Sequence, residues 1–315
     1  MSAARCAICF ATDEGYLLPT LVAAAQARRW SAAGLAEVLV LAVGLDARAS
    51  AAATPAFAEA GVRLMHIDAA AVGGDAMMVR LHLHRLVPER FAELLYLDAD
   101  VQVVGPLDPL LARPVPAGHL RAALDPMALR VRAGGRDGAA MAARMAAAGI
   151  PAGQRARYFN SGVLHIARDG WEEIAAVARV AAGQVVAGWG PFPDQDALNI
   201  AASGRVLPLS LAWNFPVFLS NAGVDRVVAP AILHFMARPK PWDGAFPPWT
   251  TAEARPYREM QRRHPGLALP PISAARWLRY AVQQRVKRRL EAWTWGRGAL
   301  RAAVLEAERE VRDSA

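Results

Sequence analysis

Residues 94–101 read Leu94-Leu95-Tyr96-Leu97-Asp98-Ala99-Asp100-Val101, four apolar residues followed by two carboxylates that flank one alanine. A short apolar run of this kind is a buried strand, and here it stops at Asp98. The C-terminal ends of such strands are where open α/β sheets bind their ligands. The turn after Leu97 can bring both hard oxygen donors to a Mn²⁺ or Mg²⁺ ion carrying a diphosphate.

Outward from this strand, short apolar runs alternate with helical patterns, the mark of βαβ units and a mainly parallel sheet. Residues 5–11 read as the first strand, 17–30 as a helix, 38–43 as the next strand, 51–60 as a helix and 62–67 as extended. Residues 77–86 read as a helix and 158–166 as a later strand. The stretch 130–157 carries glycine, alanine and arginine with weak periodicity, which fits an exposed helix or a mobile lid. Prolines from 230 to 248 punctuate an aromatic region with Phe235, Trp242, Phe246 and Trp249, a loop that packs through side chains. No repeat is visible. No G-x-G-x-x-G follows the first strand and no G-x-x-x-x-G-K-[ST] occurs anywhere, so neither a Rossmann cofactor site nor a P-loop is supported.

The 315 residues are 54% hydrophobic and 20% charged, which excludes a disordered chain. Charged residues interrupt every long apolar run, so no spanning helix is expected. The first ten residues meet Asp13 and Glu14 too soon for a secretory signal, and a cytoplasmic location follows as the expectation. Cys6 and Cys9 lie three apart on a strand and point to opposite faces, as two small buried hydrophobes rather than a redox pair. Of 36 basic residues only Lys240 and Lys287 are lysine, so each is a candidate for a position that needs a lysine. The net charge is +8, and residues 273–315 hold ten basic and five acidic side chains, net +5.

A histidine and a lysine recur in Ile232-Leu233-His234-Phe235-Met236-Ala237-Arg238-Pro239-Lys240-Pro241-Trp242. Imidazole at the end of a strand-like run can ligate a metal, and an ammonium six residues later can offset phosphate charge. His82 and His84 are two apart on the expected helix and do not share a face, and with His165 they read as structural. Trp213, Trp242 and Trp249 read as packing residues.

Together with Phe10-Ala11-Thr12-Asp13-Glu14-Gly15-Tyr16, Tyr158-Phe159-Asn160-Ser161-Gly162-Val163 and Pro193-Asp194-Gln195-Asp196-Ala197-Leu198-Asn199, these motifs resemble the retaining glycosyltransferases of family 8. That family includes bacterial lipopolysaccharide galactosyl- and glucosyltransferases and glycogenin, and the resemblance covers about residues 5–245. It implies a GT-A-type α/β fold, a UDP-sugar donor and retention of anomeric configuration. Residue by residue it implies that Ala11, Thr12, Asp13 and Tyr16 bind the nucleoside. Asp98, Asp100 and His234 are then metal ligands, Ala99 and Lys240 contact the donor, and Arg80 and Asn160 hold the donor sugar, with Arg85 as the alternative to Arg80. Asp194 and Gln195 lie beside the anomeric carbon, and Asp196 is read as a cap of a helix over 197–202. Ala237 stands where the family pattern has glycine.

What the resemblance implies is transfer of glucose or galactose to a hydroxyl acceptor, a lipopolysaccharide or other cell-envelope glycan, with Mn²⁺ or Mg²⁺ as cofactor. Gln195 rather than a carboxylate lies nearest the anomeric carbon, which favours front-face attack by the acceptor through an oxocarbenium-like state over a covalent intermediate. Residues 1–250 are read as the catalytic domain and 251–315 as a helical basic extension. In residues 273–301, eight cations accompany the stripe Leu278, Val282, Val286 and Leu290. Such a helix either lies on an anionic membrane surface, at the inner face of the cytoplasmic membrane, or packs on the catalytic domain with a solvated arginine face. No nucleic-acid recognition module is recognisable. A non-catalytic nucleotide-sugar-binding protein and a haloacid-dehalogenase-like phosphatase, whose nucleophilic aspartate also follows a strand, are the other readings.

Overall fold

The computed structural model describes residues 4–185 and 193–313. Its strands are β1 (Cys6–Thr12), β2 (Ala36–Val43), β3 (Arg63–Ile67), β4 (Glu93–Leu97), β5 (Val101–Val103), β6 (Leu120–Leu124), β7 (Phe159–Ala167), β8 (Val206–Leu209), β9 (Phe215–Pro216) and β10 (Ile232–His234). Seven form one sheet in the order β3-β2-β1-β4-β7-β6-β8, and β5-β10-β9 form a second. In the large sheet β3, β2, β1 and β4 are parallel; β7 runs antiparallel to β4 and β6, and β8 is parallel to β6.

The apolar runs become central strands because both faces of the sheet are covered. Alternate residues of β1 serve two cores. Cys6, Ile8 and Phe10 pack with Val38, Val40, Leu95 and Leu97 under the helices Leu17–Arg29 and Ala47–Glu59. Ala7, Cys9 and Ala11 pack with Leu39, Leu41, Leu94 and Tyr96 under Trp171–Val185 and Pro193–Ala201.

The expected elements at 5–11, 17–30, 38–43, 62–67, 94–97 and 158–166 each match an observed one within two residues. The helix expected at 51–60 begins earlier, at Ala47, because the Asp46 carboxylate accepts from the Ala49 N–H and caps it. The helix expected at 77–86 is instead a 3₁₀ segment, Ala76–His82, and one turn of α-helix, Leu83–Leu86. Residues 79–83 are buried consecutively rather than along a stripe, so packing overrides α periodicity there. Residues 130–157 fall mostly in the helices Pro126–Ala133, Gly135–Ala147 and Ala152–Arg155; Gly134 and Gly135, at φ +71° and +68°, break the pattern between the first two.

The C-terminal residues form the helices Thr251–Arg263, Ala274–Trp295 and Gly298–Asp313. Trp295, Val304 and Ala307 join the main core, and the Glu308 carboxylate accepts from the Ser210 hydroxyl at 2.6 Å and the Leu211 N–H at 2.8 Å. At the N-terminal end of β4, Glu93 accepts from Arg5 and from the Val115 N–H, and lies 3.0 Å from His165 Nε2.

Both cysteines are free and buried, on opposite faces of β1. Burial pushes the Cys9 thiol up to about 12 and raises Cys6 as well. Because the thiolate is the reactive form, neither thiol should react with a disulfide reagent at pH 8 until denaturant is added, when two equivalents per chain should titrate. Fast native labelling of either would contradict this packing.

Candidate active site

The parallel pairing of β1 with β4, with Phe10 opposite Leu97, brings residues 11–13 and 98–100 to the same edge of the sheet. The second sheet supplies the other half. β10 pairs antiparallel with β5, with His234 opposite Val101, and so carries the imidazole to the carboxylates.

Asp98 and Asp100 each give one oxygen to a cation and turn the other toward His234. Asp98 Oδ1 accepts from Arg80 Nη2 at 2.7 Å and from the Tyr96 hydroxyl at 3.1 Å, while Oδ2 lies 4.0 Å from His234 Nε2. Asp100 Oδ2 accepts from Lys240 Nζ at 2.6 Å, and Oδ1 lies 3.3 Å from His234 Nε2. The three inward atoms lie within 4.8 Å of one another. Ligand atoms about 2.1 Å from a shared cation stand at most ~4.2 Å apart, so the residues fit a divalent ion after a small contraction.

The histidine is prepared for that role. His234 Nδ1 is 2.7 Å from Asn214 Oδ1, and the Asn214 amide donates to Asn160 Oδ1 at 2.8 Å. The Asn214 oxygen therefore accepts from Nδ1–H, which fixes the ring so that Nε2 is the nitrogen facing the carboxylates. Gly162 makes the room: a Cβ there would stand 2.3 Å from His234 Cε1 and 2.8 Å from Asp98 Oδ2.

The charges are balanced in pairs. Burial raises the Asp98 carboxyl above its usual value, with Arg80 opposing it. Burial acts on Asp100 too, but Lys240 and His234 overcome it and hold that carboxyl well below the usual range. Burial also disfavours the Arg80 cation, yet Asp98, Tyr96 and Asp194 keep it charged. Arg80 Nη1 lies 3.1 Å from Asp194 Oδ2 and donates to the Ser161 carbonyl and hydroxyl at 2.9 and 2.7 Å.

Behind the carboxylates lies a buried polar network. Gln195 Oε1 accepts from the Asn160 amide and the Ser161 N–H, both at 3.0 Å, and Gln195 Nε2 donates to Asp125 Oδ2 and the Tyr158 oxygen, both at 3.2 Å. Asp194, Gln195 and Asp196 lie inside the helix Pro193–Ala201, not before it. The expectation that Asp196 caps a helix over 197–202 is therefore corrected: Pro193 starts the helix, and the Asp196 carboxylate accepts from the Tyr158 hydroxyl at 2.5 Å.

Thr12 is buried at the end of β1 and donates to the Asp13 carbonyl; Asp13 is exposed and caps the turn Glu14–Tyr16 by accepting from the Tyr16 N–H. Ala11 is buried, and Ala99 is half-buried between the two carboxylates. Tyr16 meets Trp242 edge-on with centroids 5.8 Å apart, which ties the turn Glu14–Tyr16 to the Lys240 loop. Arg85 contacts the Ala71 carbonyl and His82 rather than this cluster. His84 and His165 also lie outside it, near Glu172 and Glu93. Trp249 packs with Phe235 and Phe246, and Trp213 against the main core.

Asp125, Asn214 and Tyr96 were not legible as site residues. Asp125 precedes a proline and shows the pattern of a helix cap, which one of its oxygens satisfies by accepting from the Met127 N–H. Nothing in the sequence around Asn214 marks it.

Asn214→Ala should weaken Mn²⁺ binding by about 10–100-fold, the usual effect of losing a partner that orients a ligand, as read by calorimetry. Gly162→Ala should abolish it, and tight Mn²⁺ binding by that variant would refute the placement of the ion.

The model of the family described as Glycosyl transferase family 8 matches residues 7–245. No curated protein sequence matches the chain. Among solved structures, the galactosyltransferase LgtC in complex with donor and acceptor sugar analogues aligns with TM-score 0.63 and 22% identity, over 84% of this chain and 97% of that one. The bifunctional glycosyltransferase WbbM aligns with TM-score 0.60 and 17% identity, over 91% of this chain and 52% of that one. GlyE of Streptococcus pneumoniae TIGR4 aligns with TM-score 0.57 and 18% identity, over 86% and 66%. The mixed, mainly parallel sheet is the GT-A fold of these neighbours. With the family model matched over most of its length and the fold to go with it, the chain belongs to glycosyl transferase family 8.

Proposed function

We propose that this glycosyltransferase is a retaining, metal-dependent hexosyltransferase. It moves glucose or galactose from a UDP-sugar to a hydroxyl of a lipopolysaccharide or other cell-envelope glycan. The observation that carries the reading is the convergence of Asp98, Asp100 and His234 with Lys240 at the sheet edge. Asp98, Asp100 and His234 would hold Mn²⁺ or Mg²⁺, which when bound neutralises charge on the leaving diphosphate.

The chain's own residues supply the rest. The Lys240 ammonium donates to Asp100 and to the Phe235 carbonyl and keeps one N–H for a phosphate oxygen. Ala11, Thr12, Asp13 and Tyr16 take the nucleoside, Ala99 borders the diphosphate, and Arg80 and Asn160 hold the sugar. Asp194, paired with Arg80, stays beside the anomeric carbon. Both lone pairs of Gln195 Oε1 and both amide hydrogens are engaged, which supports a positioning role and front-face attack by the acceptor over a covalent adduct at Gln195. Residues 1–250 form the catalytic domain in this reading and 251–315 its extension.

The extension also supports a membrane surface as partner and a peripheral place on the inner face of the cytoplasmic membrane. Helix Ala274–Trp295 packs through Tyr280, Gln284 and Trp295, while Leu278, Val282, Val286 and Leu290 are more than half exposed. No helix among the described residues is long and apolar enough to cross a membrane. The exposed stripe, with Trp277 and Trp293, can enter a headgroup layer, and each nearby cation adds about 1 kcal/mol on anionic lipid. Full-length protein should sediment with phosphatidylglycerol vesicles and not with phosphatidylcholine vesicles. The double variant Val286→Glu, Leu290→Glu should stay in the supernatant; unchanged binding would remove the stripe from the membrane contact.

The central test is UDP release from UDP-glucose and UDP-galactose with and without Mn²⁺. Release should be metal-dependent and should fall about 100-fold, ~2.7 kcal/mol, in Asp100→Ala and in His234→Ala. Absence of release together with absence of metal-dependent UDP binding by calorimetry would overturn the reading.

A further inference from the structure

Both lysines of a chain that otherwise uses arginine lie around His234. Lys240 is on Asp100. Lys287 lines a cleft with His234 itself, between the residues after β10 and the helix Ala274–Trp295. An arginine is a fixed planar fork, whereas a lysine is a compact cation on a flexible stem, suited to following a mobile charged group.

The cleft is built, not a gap left by poor packing. Its volume is about 60 Å³, where one water needs about 10–15 Å³, so a phosphate-sized group fits. Gln284 lines it, is only 7% exposed, and has no hydrogen-bond partner among the described residues. Tyr280, one turn back on this face, packs against Phe246, so the face accommodates apolar side chains, and Gln284 places an unpaired amide on the cleft wall instead. Lys287 is half-buried and makes no ion pair within 4 Å among the described residues. The carboxylate one turn on, Glu291, lines the same cleft within the field of Lys287 and is held by the Asn221 amide at 2.7 Å. Arg238 adds a second cation at the rim, and Phe235 and Trp249 an aromatic wall. Since His234 forms one side of both spaces, whatever enters the cleft lies next to the reaction centre.

We propose that this cleft is an acceptor subsite for a sugar bearing an anionic group, a phosphate or carboxylate, with the Gln284 amide and the Lys287 ammonium as its ligands. The proposal rests on the transferase reading and deepens it: the helix Ala274–Trp295 selects the acceptor. Lys287 carries the charge preference, and Gln284 holds an oxygen of the same group or an adjacent hydroxyl.

The test is ligand-observed NMR titration of the full chain with glucose 6-phosphate, glucose and inorganic phosphate. EDTA is present so that no phosphate can be held through a divalent ion. Glucose 6-phosphate should bind at least tenfold more tightly than either glucose or inorganic phosphate. Lys287→Gln and Gln284→Leu should each weaken it about tenfold, and Lys287→Arg should restore part of the loss, which a folding defect would not permit. Equal binding of glucose and glucose 6-phosphate would overturn the subsite, as would wild-type affinity in Lys287→Gln. Inorganic phosphate binding as well as the sugar phosphate would mark an anion site without acceptor specificity and overturn it too. Calorimetry of UDP with Mn²⁺ on the wild-type protein tests the donor reading separately, so failure of either claim is told from failure of the other.

Discussion

Two carboxylates placed two residues apart in a protein interior repel each other and resist burial, and cations or polar partners must be brought to them. Asp98 and Asp100 set that requirement, and the architecture around them answers it from three directions. The 3₁₀ segment before β4 brings Arg80, β10 of the small sheet brings His234, and the loop after β10 brings Lys240. The three-stranded sheet has little core of its own. Its two pairings return the chain to the carboxylates after more than a hundred residues.

The division of oxygens follows from the same requirement. Each carboxylate is anchored by one oxygen on a permanent cation and keeps the other free for the shared centre, so the inward oxygens are fixed before any ligand arrives. Asn214 and Gly162 complete this, one by orienting the imidazole and the other by leaving space. Such a centre costs stability, and the two apolar cores on either side of the sheet offset that cost.

The strands were legible because their cause is local: a run such as 94–97 or 38–43, buried on both faces, has nowhere to be but a central strand. Asp98, Asp100, His234 and Lys240 were legible as well, since charge that ends an apolar run is itself the signal. What depended on distant partners was not legible. Met77 to Leu86 has helix-forming residues, yet the consecutive burial of residues 79–83 makes its first part, through His82, 3₁₀. Pro193 starts a helix that composition places at Ala197, which moves Asp196 from a cap to the Tyr158 hydroxyl. Asp125 and Asn214 act only through residues tens of positions away. The apolar stripe of the C-terminal helix was visible, but its direction is set by Tyr280 and Trp295 on the other side.

Strand β4 ends in an acid at both extremities, Glu93 on His165 and Arg5, Asp98 on Arg80 and Tyr96. Successive side chains alternate between faces, so a slip of one residue would withdraw both acids from their partners at once and turn Leu95 and Leu97 into the opposite core. The strand thus carries a vernier with marks at each end, and only one alignment satisfies both. A residue gained or lost between 93 and 100 would therefore part the two marks, whatever its side chain.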